Sequence, residues 1–244
     1  MRALRLVMLS VLLLGGASFG VQATVLTFQE GDGGAFSETD ASNFDNRGAA
    51  GSSFRGNNAN LTTDTEVSGT LPTQYSMIGF FDIFGAAAGQ IQLGSTIQSA
   101  TLRVTQNVNT SQGTQSAHRV LRNWDESSVV NDLFFSGTNS RGDTEPLAGT
   151  DFDATVVDST VPGSITNVEF DITSLVQAWS DGTDNFGLII FNSGTDGWVF
   201  HSDNSATQSA RPLLTVTLAT PVPAPGTFGI LMLGLLSVLK YRRA

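Results

Sequence analysis

The chain has 244 residues and a mass of 25.7 kDa, which allows one β-rich domain with a sizeable core or two small domains. It has no cysteine, which excludes a disulfide framework, a cysteine-ligated zinc site and thiol chemistry. All 22 acidic residues lie between Glu30 and Asp203, while five of the 12 basic residues lie at the two ends. The body between the ends therefore has seven basic residues and a formal charge of −15. Such a charge argues against nucleic acid or anionic lipid as a partner.

The N-terminal segment, residues 1–23, is typical of a secretory signal peptide. Arg2 and Arg5 precede an apolar run, and a small-x-small pattern ends at Ala23, where we predict cleavage. A buried core helix is the alternative, but the segment lies at the extreme end of the chain and has no acidic residue. We therefore expect an exported protein whose mature chain begins at Thr24.

The C-terminal segment, residues 221–244, has a proline-rich start, an apolar stretch at residues 227–239 and a basic end with Lys240, Arg242 and Arg243. As a helix, the apolar stretch would be about 20 Å long, which is short for a hydrocarbon core of about 30 Å. A membrane could hold this helix only with help. The basic end would stay on the cytoplasmic side, leaving the acidic body outside.

This C-terminal order of parts resembles the PEP-CTERM sorting signal of Gram-negative bacteria that make exopolysaccharide. Pro223 and Pro225 flank an alanine where that signal has Pro-Glu-Pro. The resemblance implies an exosortase-type processing enzyme as a partner. It also implies a precursor tethered to the inner membrane by the C-terminal helix, followed by a mature form at the cell surface or in the extracellular matrix. A plain tail-anchor helix is the alternative.

The body consists of short apolar runs separated by Gly, Asn, Asp, Ser and Thr, a pattern that favours strands and turns. Residues 97–105 alternate as a strand buried on one face does, and residues 75–84 carry apolar residues on both faces. Residues 29–64 are predicted to form long loops with weak strands. The predicted strands are residues 25–28, 75–84, 97–105, 116–122, 167–172, 186–191, 198–201 and 213–218.

One short helix is predicted between the strands. Ser174 and Gln177 fit a capping box, and Gly182 provides a stop. The side chains predicted to face the core are Leu175, Val176 and Trp179. About nine strands with one short helix predict an all-β fold, a single antiparallel β-sandwich of jelly-roll type over residues 24–220.

Several segments of the body, taken in order, resemble the DNRLRE-type domain, a secreted β-sandwich related to a carbohydrate-binding module family. The segments are residues 26–31 (LTFQEG), 78–83 (IGFFDI), 97–104 (IQSATLRV), 123–129 (NWDESSV), 170–179 (FDITSLVQAW), 185–190 (NFGLII), 200–203 (FHSD) and 211–216 (RPLLTV). The resemblance implies a β-sandwich whose ligand is an extracellular polysaccharide.

Sugar recognition usually combines a rigid aromatic face with polar groups that match ring hydroxyls. The candidate aromatic residues are Trp124, Trp198 and Tyr75, with Arg119 and Arg122 as polar neighbours. The alternative places these rings in the core or at strand ends. The charge of the body favours a neutral glycan, or an anionic one bridged by calcium.

No cofactor is required by the sequence, but a structural calcium ion is an open alternative. Asp181, Asp184 and Asp196 are the candidate ligands, because hard cations favour carboxylate-rich loops; turn carboxylates that only aid solubility are the other interpretation. The two histidines are too few for most histidine-based metal sites, and Gly-x-Ser-x-Gly does not occur in the body; its single match, residues 16–20, lies in the predicted signal peptide.

We therefore predict a non-enzymatic surface or matrix protein that binds or organises exopolysaccharide. The alternatives are a purely structural surface protein without a specific ligand and a polysaccharide-degrading enzyme. The enzyme stays open because paired carboxylates, the residues of glycosidase chemistry, are numerous in this chain.

Overall fold

The computed structural model of the chain describes residues 23–33, 36, 39–46, 56–65, 72–109, 113–129, 134–140, 142–163, 166–195 and 197–219. The predicted signal peptide before Ala23 and the predicted sorting segment lie outside these residues, as does Asp196. The same holds for the sorting residues Pro223, Pro225, Lys240, Arg242 and Arg243. Among the described residues, no helix combines the length and apolarity needed to cross a bilayer.

The described part of the chain is mostly antiparallel β structure with one α-helix, as the sequence predicts. The strands are β1 (Thr24–Phe28), β2 (Asp40–Asp45), β3 (Asn60–Thr65), β4 (Pro72–Gly79), β5 (Ile97–Asn109), β6 (Gln115–Val120), β7 (Gly137–Thr138), β8 (Thr144–Glu145), β9 (Phe152–Thr160), β10 (Asn167–Asp171), β11 (Leu188–Asn192), β12 (Trp198–His201) and β13 (Leu213–Leu218). The helix α1 is Thr173–Ser180, and a short 3-10 turn covers Gln208–Ala210.

The strands form one curled sheet because two long strands change partners along their length. The sheet order is β1-β13-β5-β12-β3-β4-β11-β6-β9, with β10 beside β5 and β2 beside β4. The first part of β5 pairs with β13 and β10, and its end pairs with β12. Likewise, the start of β4 pairs with β3 and its later part with β11. The sheet therefore turns back on itself and encloses a core.

The main core lies between facing parts of the curled sheet. On β5, Ala100, Leu102 and Val104 are buried at every second position, as the alternation predicts. They belong to one cluster with Ile78 of β4 and Leu188 of β11. At about 25 cal/mol per Å² of buried apolar surface, a cluster of this kind is the main stabilising contribution to the fold.

A second apolar cluster covers the other face of β4 and β11. Tyr75 and Met77 of β4 and Ile189 of β11 point away from the main core and are fully buried. They pack against Trp124 and Phe135 from the connection between β6 and β9. The prediction that β4 is buried on both faces is thereby confirmed, although β4 ends at Gly79 rather than at residue 84.

The helix α1 packs its predicted apolar side onto the sheet. Its inward side chains are buried, and Gly182 follows its end with φ +100°, a conformation suited to glycine. The predicted capping box is wrong, because Ile172 takes the N-cap position without a side-chain hydrogen bond. Gln177 instead accepts from the Ile97 N–H (2.8 Å) and donates to the Ser95 carbonyl (3.3 Å). Its side chain therefore fixes the helix to the start of β5.

The connection that carries Trp124 is fastened by the fully buried carboxylate of Asp151. Its two oxygens accept from Arg122 Nη1 (2.8 Å), Ser136 Oγ (2.9 Å), Ser136 N (2.8 Å) and Leu147 N (2.9 Å). Burial alone would raise the pKa of Asp151, but these hydrogen bonds outweigh burial and lower the pKa. The ionised form is thus the one that the folded state stabilises.

We predict that Asp151→Ala lowers the free energy of unfolding by roughly 3–5 kcal/mol, because it leaves Arg122 and two backbone N–H groups without their buried partner. The control is Asp153→Ala, which breaks the half-exposed Arg119–Asp153 pair (3.5 Å) and should cost less than about 1 kcal/mol. Urea unfolding followed by circular dichroism measures both. Equal losses for the two variants would contradict this account of the connection.

Candidate functional site

The three aromatic side chains predicted to stack on a sugar lie in the core. Tyr75 and Trp198 are 0% exposed and Trp124 is 5% exposed. The indole N–H of Trp198 donates to Gln106 Oε1 (3.0 Å), and that of Trp124 donates to the Phe186 carbonyl (2.9 Å). None of the three offers a ring face to a sugar, so the prediction of an aromatic platform at these residues is corrected to core packing.

Of the two arginines predicted to accompany those rings, Arg122 stabilises the connection between β6 and β9, and Arg119 joins the two strands themselves. Arg122 binds Asp151 and lies over the Phe134 ring, 4.8 Å from its centre. Arg119 pairs with Asp153 at 3.5 Å. Both guanidinium groups thus have protein partners, and the five residues predicted for sugar binding do not form one exposed surface.

The carboxylates predicted to bind calcium follow α1. Asp181 accepts from Gln177 Nε2 (2.9 Å), and Asp184 is exposed. Because Asp196 lies outside the described residues, the three cannot be compared as a set. Within the described ranges, no group of three or more Asp, Glu, His or Cys side chains is arranged to hold a metal.

An open, polar cleft of about 560 Å³, here called the acidic cleft, lies at one surface of the described structure. It is built from turns next to β1, β2, β3, β12 and β13, together with the turn that follows Trp124. Its lining residues are Glu30, Thr39, Asp40, Asn57, Asp125, Glu126, Ser127, Asp203, Asn204 and Arg211. Five carboxyl groups therefore share the cleft with one guanidinium group.

Glu126 connects the walls of the acidic cleft. Its Oε2 accepts from the Ala41 N–H at the start of β2 (3.0 Å), and its Oε1 accepts from Asn204 Nδ2 (2.8 Å). The same amide nitrogen lies 2.9 Å from Asp203 Oδ2 and 3.1 Å from the Gly56 carbonyl oxygen. Three oxygens from three separate segments therefore converge on one –NH₂ group, which has only two protons to donate.

Asp203 forms the floor of the acidic cleft and is 6% exposed. No N–H or hydroxyl group donates to its Oδ1. Asp203 can still form a hydrogen bond with Glu126 if the two carboxyl groups share a proton. Burial, and then the charge of Glu126, raise the pKa of Asp203 to about 8. At neutral pH Asp203 is therefore mainly in its neutral form.

The rim of the acidic cleft is held by local hydrogen bonds. The exposed Asp125 accepts from Ser127 Oγ (2.6 Å) and Ser127 N (2.8 Å), and these bonds lower its pKa. Arg211 donates to the carbonyls of Ser205 (2.9 Å) and Glu30 (3.2 Å). Gly31 allows this approach, since its φ is +78° and a Cβ there would lie 2.9 Å from Arg211 Nη1.

Carboxyl and amide groups in an open cleft can exchange hydrogen bonds with hydroxyls or coordinate a hard cation. The Glu126–Asp203 pair is poorly suited to glycoside hydrolysis, where the two carboxyl groups stand about 5 Å or more apart around the scissile bond. Near the cleft, Ser205 Oγ lies 3.2 Å from His201 Nδ1, but Ser205 is 3% exposed, so substrate could not reach its hydroxyl.

No protein-family model matches the chain, and a search of curated proteins finds no match either.

Sequence reasoning missed the acidic cleft because its members are far apart in the chain. One signal was present, the consecutive carboxylates Asp125 and Glu126. This signal does not reveal that a buried Asp203 meets Glu126, since that contact depends on which turns the curled sheet brings together.

We predict that the free energy of unfolding decreases as pH rises from about 4 to 8. In this range the folded chain keeps a proton on Asp203, whereas an unfolded aspartate, with a pKa of about 3.9, has released it. The contribution of neutral Asp203 is complete below the unfolded pKa and is lost as pH rises towards 8. In metal-free buffer at pH 7.5, Asp203→Asn should therefore raise the free energy of unfolding by roughly 1–3 kcal/mol.

Thermal and urea unfolding at several pH values test this expectation. At pH 4 the variant and the wild type should be similar in free energy of unfolding. At that pH the folded and unfolded wild-type chains differ little in the protonation of Asp203, so its replacement by a neutral side chain changes little. Asp184→Asn, which changes an exposed aspartate, is the matched control and should be neutral at both pH values. A variant that is less stable than wild type at pH 7.5 would contradict the assignment of a buried neutral acid.

Proposed function

We propose that this chain is an exported, non-enzymatic β-sandwich of jelly-roll type that binds extracellular polysaccharide in the acidic cleft. The single observation that carries the proposal is an open, polar cleft of about 560 Å³ formed by turns from several strands. Its size lies within the range of about 300–1,000 Å³ that is typical of small-molecule sites. Its position on turns is also typical of binding sites carried by a rigid β scaffold.

The hydrogen-bonding groups of the cleft support a hydroxyl-rich ligand. Carboxylates such as Asp125 accept from sugar hydroxyls, while the side chains of Asn57 and Ser127 can both donate and accept. Since no aromatic residue lines the cleft in the described structure, binding would depend on polar contacts. We therefore expect modest affinity for a single sugar and a larger apparent affinity for a polymer with repeated units.

The charge of the cleft limits the class of glycan. Glu30, Asp40 and Asp125 face it together with the Glu126–Asp203 pair, and Arg211 uses its guanidinium on backbone carbonyls. An anionic polymer would be repelled unless a cation bridged it to the carboxylates. A neutral polysaccharide is therefore the ligand class that we propose.

The location is proposed from the chain ends. The pattern before Ala23 favours export, and the tripartite pattern of residues 221–244 favours sorting by an exosortase-type enzyme. The acidic body would then lie outside the inner membrane, first tethered and later at the cell surface or in the matrix. A polysaccharide ligand agrees with that location.

We predict that the full-length protein binds neutral oligosaccharides on a glycan array and that Asn57→Ala/Asp125→Ala weakens binding at least tenfold, about 1.4 kcal/mol. The double substitution removes two exposed polar side chains from the cleft. Thr183→Ala/Asp184→Ala removes an equivalent exposed pair after α1 and should leave binding unchanged. Isothermal titration calorimetry with the tightest-binding oligosaccharide gives the affinities.

Two outcomes would contradict the glycan proposal. Absence of binding to every glycan on the array would favour the purely structural alternative. Unaffected binding by the cleft variant would show that the ligand binds another surface.

We also predict that deleting residues 221–244 releases the protein from the membrane fraction into the soluble fraction of the cell envelope or the medium. The apolar stretch at residues 227–239 is removed with this segment. Cell fractionation and immunoblotting measure the change, with the full-length chain as control. A truncated protein that stays in the membrane fraction would contradict the proposed role of the C-terminal segment.

A further inference from the structure

We propose that the acidic cleft contains a calcium site in which Glu126 and Asp203 bind the ion together with the Gly56 carbonyl oxygen. This site is separate from the one predicted at Asp181, Asp184 and Asp196. It does not rest on glycan binding, because the ion would be held by protein oxygens alone and can be measured without a sugar.

The first observation is the convergence of oxygens on one point. Glu126 Oε1, Asp203 Oδ2 and the Gly56 carbonyl oxygen lie 2.8, 2.9 and 3.1 Å from Asn204 Nδ2. Calcium–oxygen distances are about 2.3–2.6 Å. A small inward shift of the three oxygens would therefore suffice for an ion that takes the place of the amide nitrogen. The Asn204 side chain would rotate away or turn its oxygen towards the ion.

The second observation is the unsatisfied oxygen of Asp203. The side chain is more than nine-tenths buried, lines the cleft, and has an Oδ1 atom without a hydrogen-bond donor. A buried carboxyl oxygen without a donor is costly. A cation bound by both oxygens of Asp203 would satisfy Oδ1, and it would take the place of the proton that Asp203 keeps when no metal is bound.

The chemistry of these oxygens favours calcium over magnesium. Two carboxylates and one carbonyl from separate turns form an irregular set, and water from the open cleft can complete the shell. Magnesium demands a near-ideal octahedron and gives up its water reluctantly. With only two charged ligands, the affinity should be in the range of extracellular calcium modules, with a Kd of about 10⁻⁴–10⁻³ M.

Bound calcium would connect four segments of the cleft. Three of them supply ligands: the turn after β12 with Asp203, the segment before β3 with Gly56, and the turn after Trp124 with Glu126. The fourth is β2, because Glu126 also accepts from the backbone at its start. The remaining charged groups that line the cleft are Glu30, Asp40, Asp125 and Arg211. Three of these four are carboxylates, so they add to the attraction for a cation rather than oppose it.

Calorimetric titration of the chelator-treated full-length protein with CaCl₂ tests the proposal, with thermal unfolding as a second readout. We expect a saturable heat and a higher Tm in calcium, and a smaller effect in magnesium. Glu126→Gln and Asp203→Asn should each weaken calcium binding at least tenfold, while preserving the shape of the side chain. Asp184→Asn is the control for the loop after α1 and should bind like the wild type.

Several results would overturn the proposal: no heat and no change in Tm at about 10 mM calcium, full binding by Glu126→Gln and Asp203→Asn, or loss of binding in Asp184→Asn alone. A measurement on the wild type covers the case in which the variants fail to fold. Mn²⁺ that replaces calcium should broaden the NMR signals of Gly56, Glu126 and Asp203 before others. Broadening centred elsewhere would contradict the site.

Discussion

The structure depends on buried and half-buried carboxyl groups where turns meet the curled sheet, because these groups must be satisfied there. Asp151 accepts four hydrogen bonds and closes the connection that carries Trp124. Glu126 joins the turn after Trp124 to β2 and to the turn after β12. Asp203, by contrast, has an oxygen without a donor. The hydrogen bonds of Asp151 are all used within the fold. Asp203 keeps an oxygen that a ligand could satisfy, since a buried oxygen without a hydrogen-bond donor is unfavourable.

The fold also determines where apolar and polar residues lie. Curling of the sheet gives β4 two buried faces, so aromatic rings such as Tyr75 are needed in the two cores. The turns are left with Asp, Glu, Asn and Ser, and these form the acidic cleft. A ligand of this molecule would therefore meet hydrogen-bonding groups and charge rather than stacked rings. That arrangement supports sugar hydroxyls and hard cations as the ligand classes, and it disfavours extended apolar ligands.

Much of the fold could be predicted from periodicity, since β5, β12 and β13 have clear apolar patterns and α1 buries the side chains expected. Weak strands were predicted within residues 29–64, but the bounds and burial of β2 and β3 could not be predicted because DASNFD and NLTTDT are polar. Several of their Asn, Ser and Thr side chains are buried through pairing and hydrogen bonds, as with Thr63 Oγ1 and Gln115 Oε1 (2.7 Å). Strand β9 was missed because none of the residues in Phe152–Thr160 is buried, so the strand has no buried apolar face. The cleft could not be predicted, because period two specifies the face of a residue but not which turns become neighbours.

The central claim is that ligands of this protein bind in the acidic cleft. The most direct measurement is a crystal structure of the full-length or naturally processed protein, grown with calcium and the tightest-binding oligosaccharide. The account predicts an ion bound by Glu126 and Asp203 and sugar density against Asn57, Asp125 and Ser127. Sugar density over another surface, with the Glu126–Asp203 pair unchanged and without an ion, would contradict it.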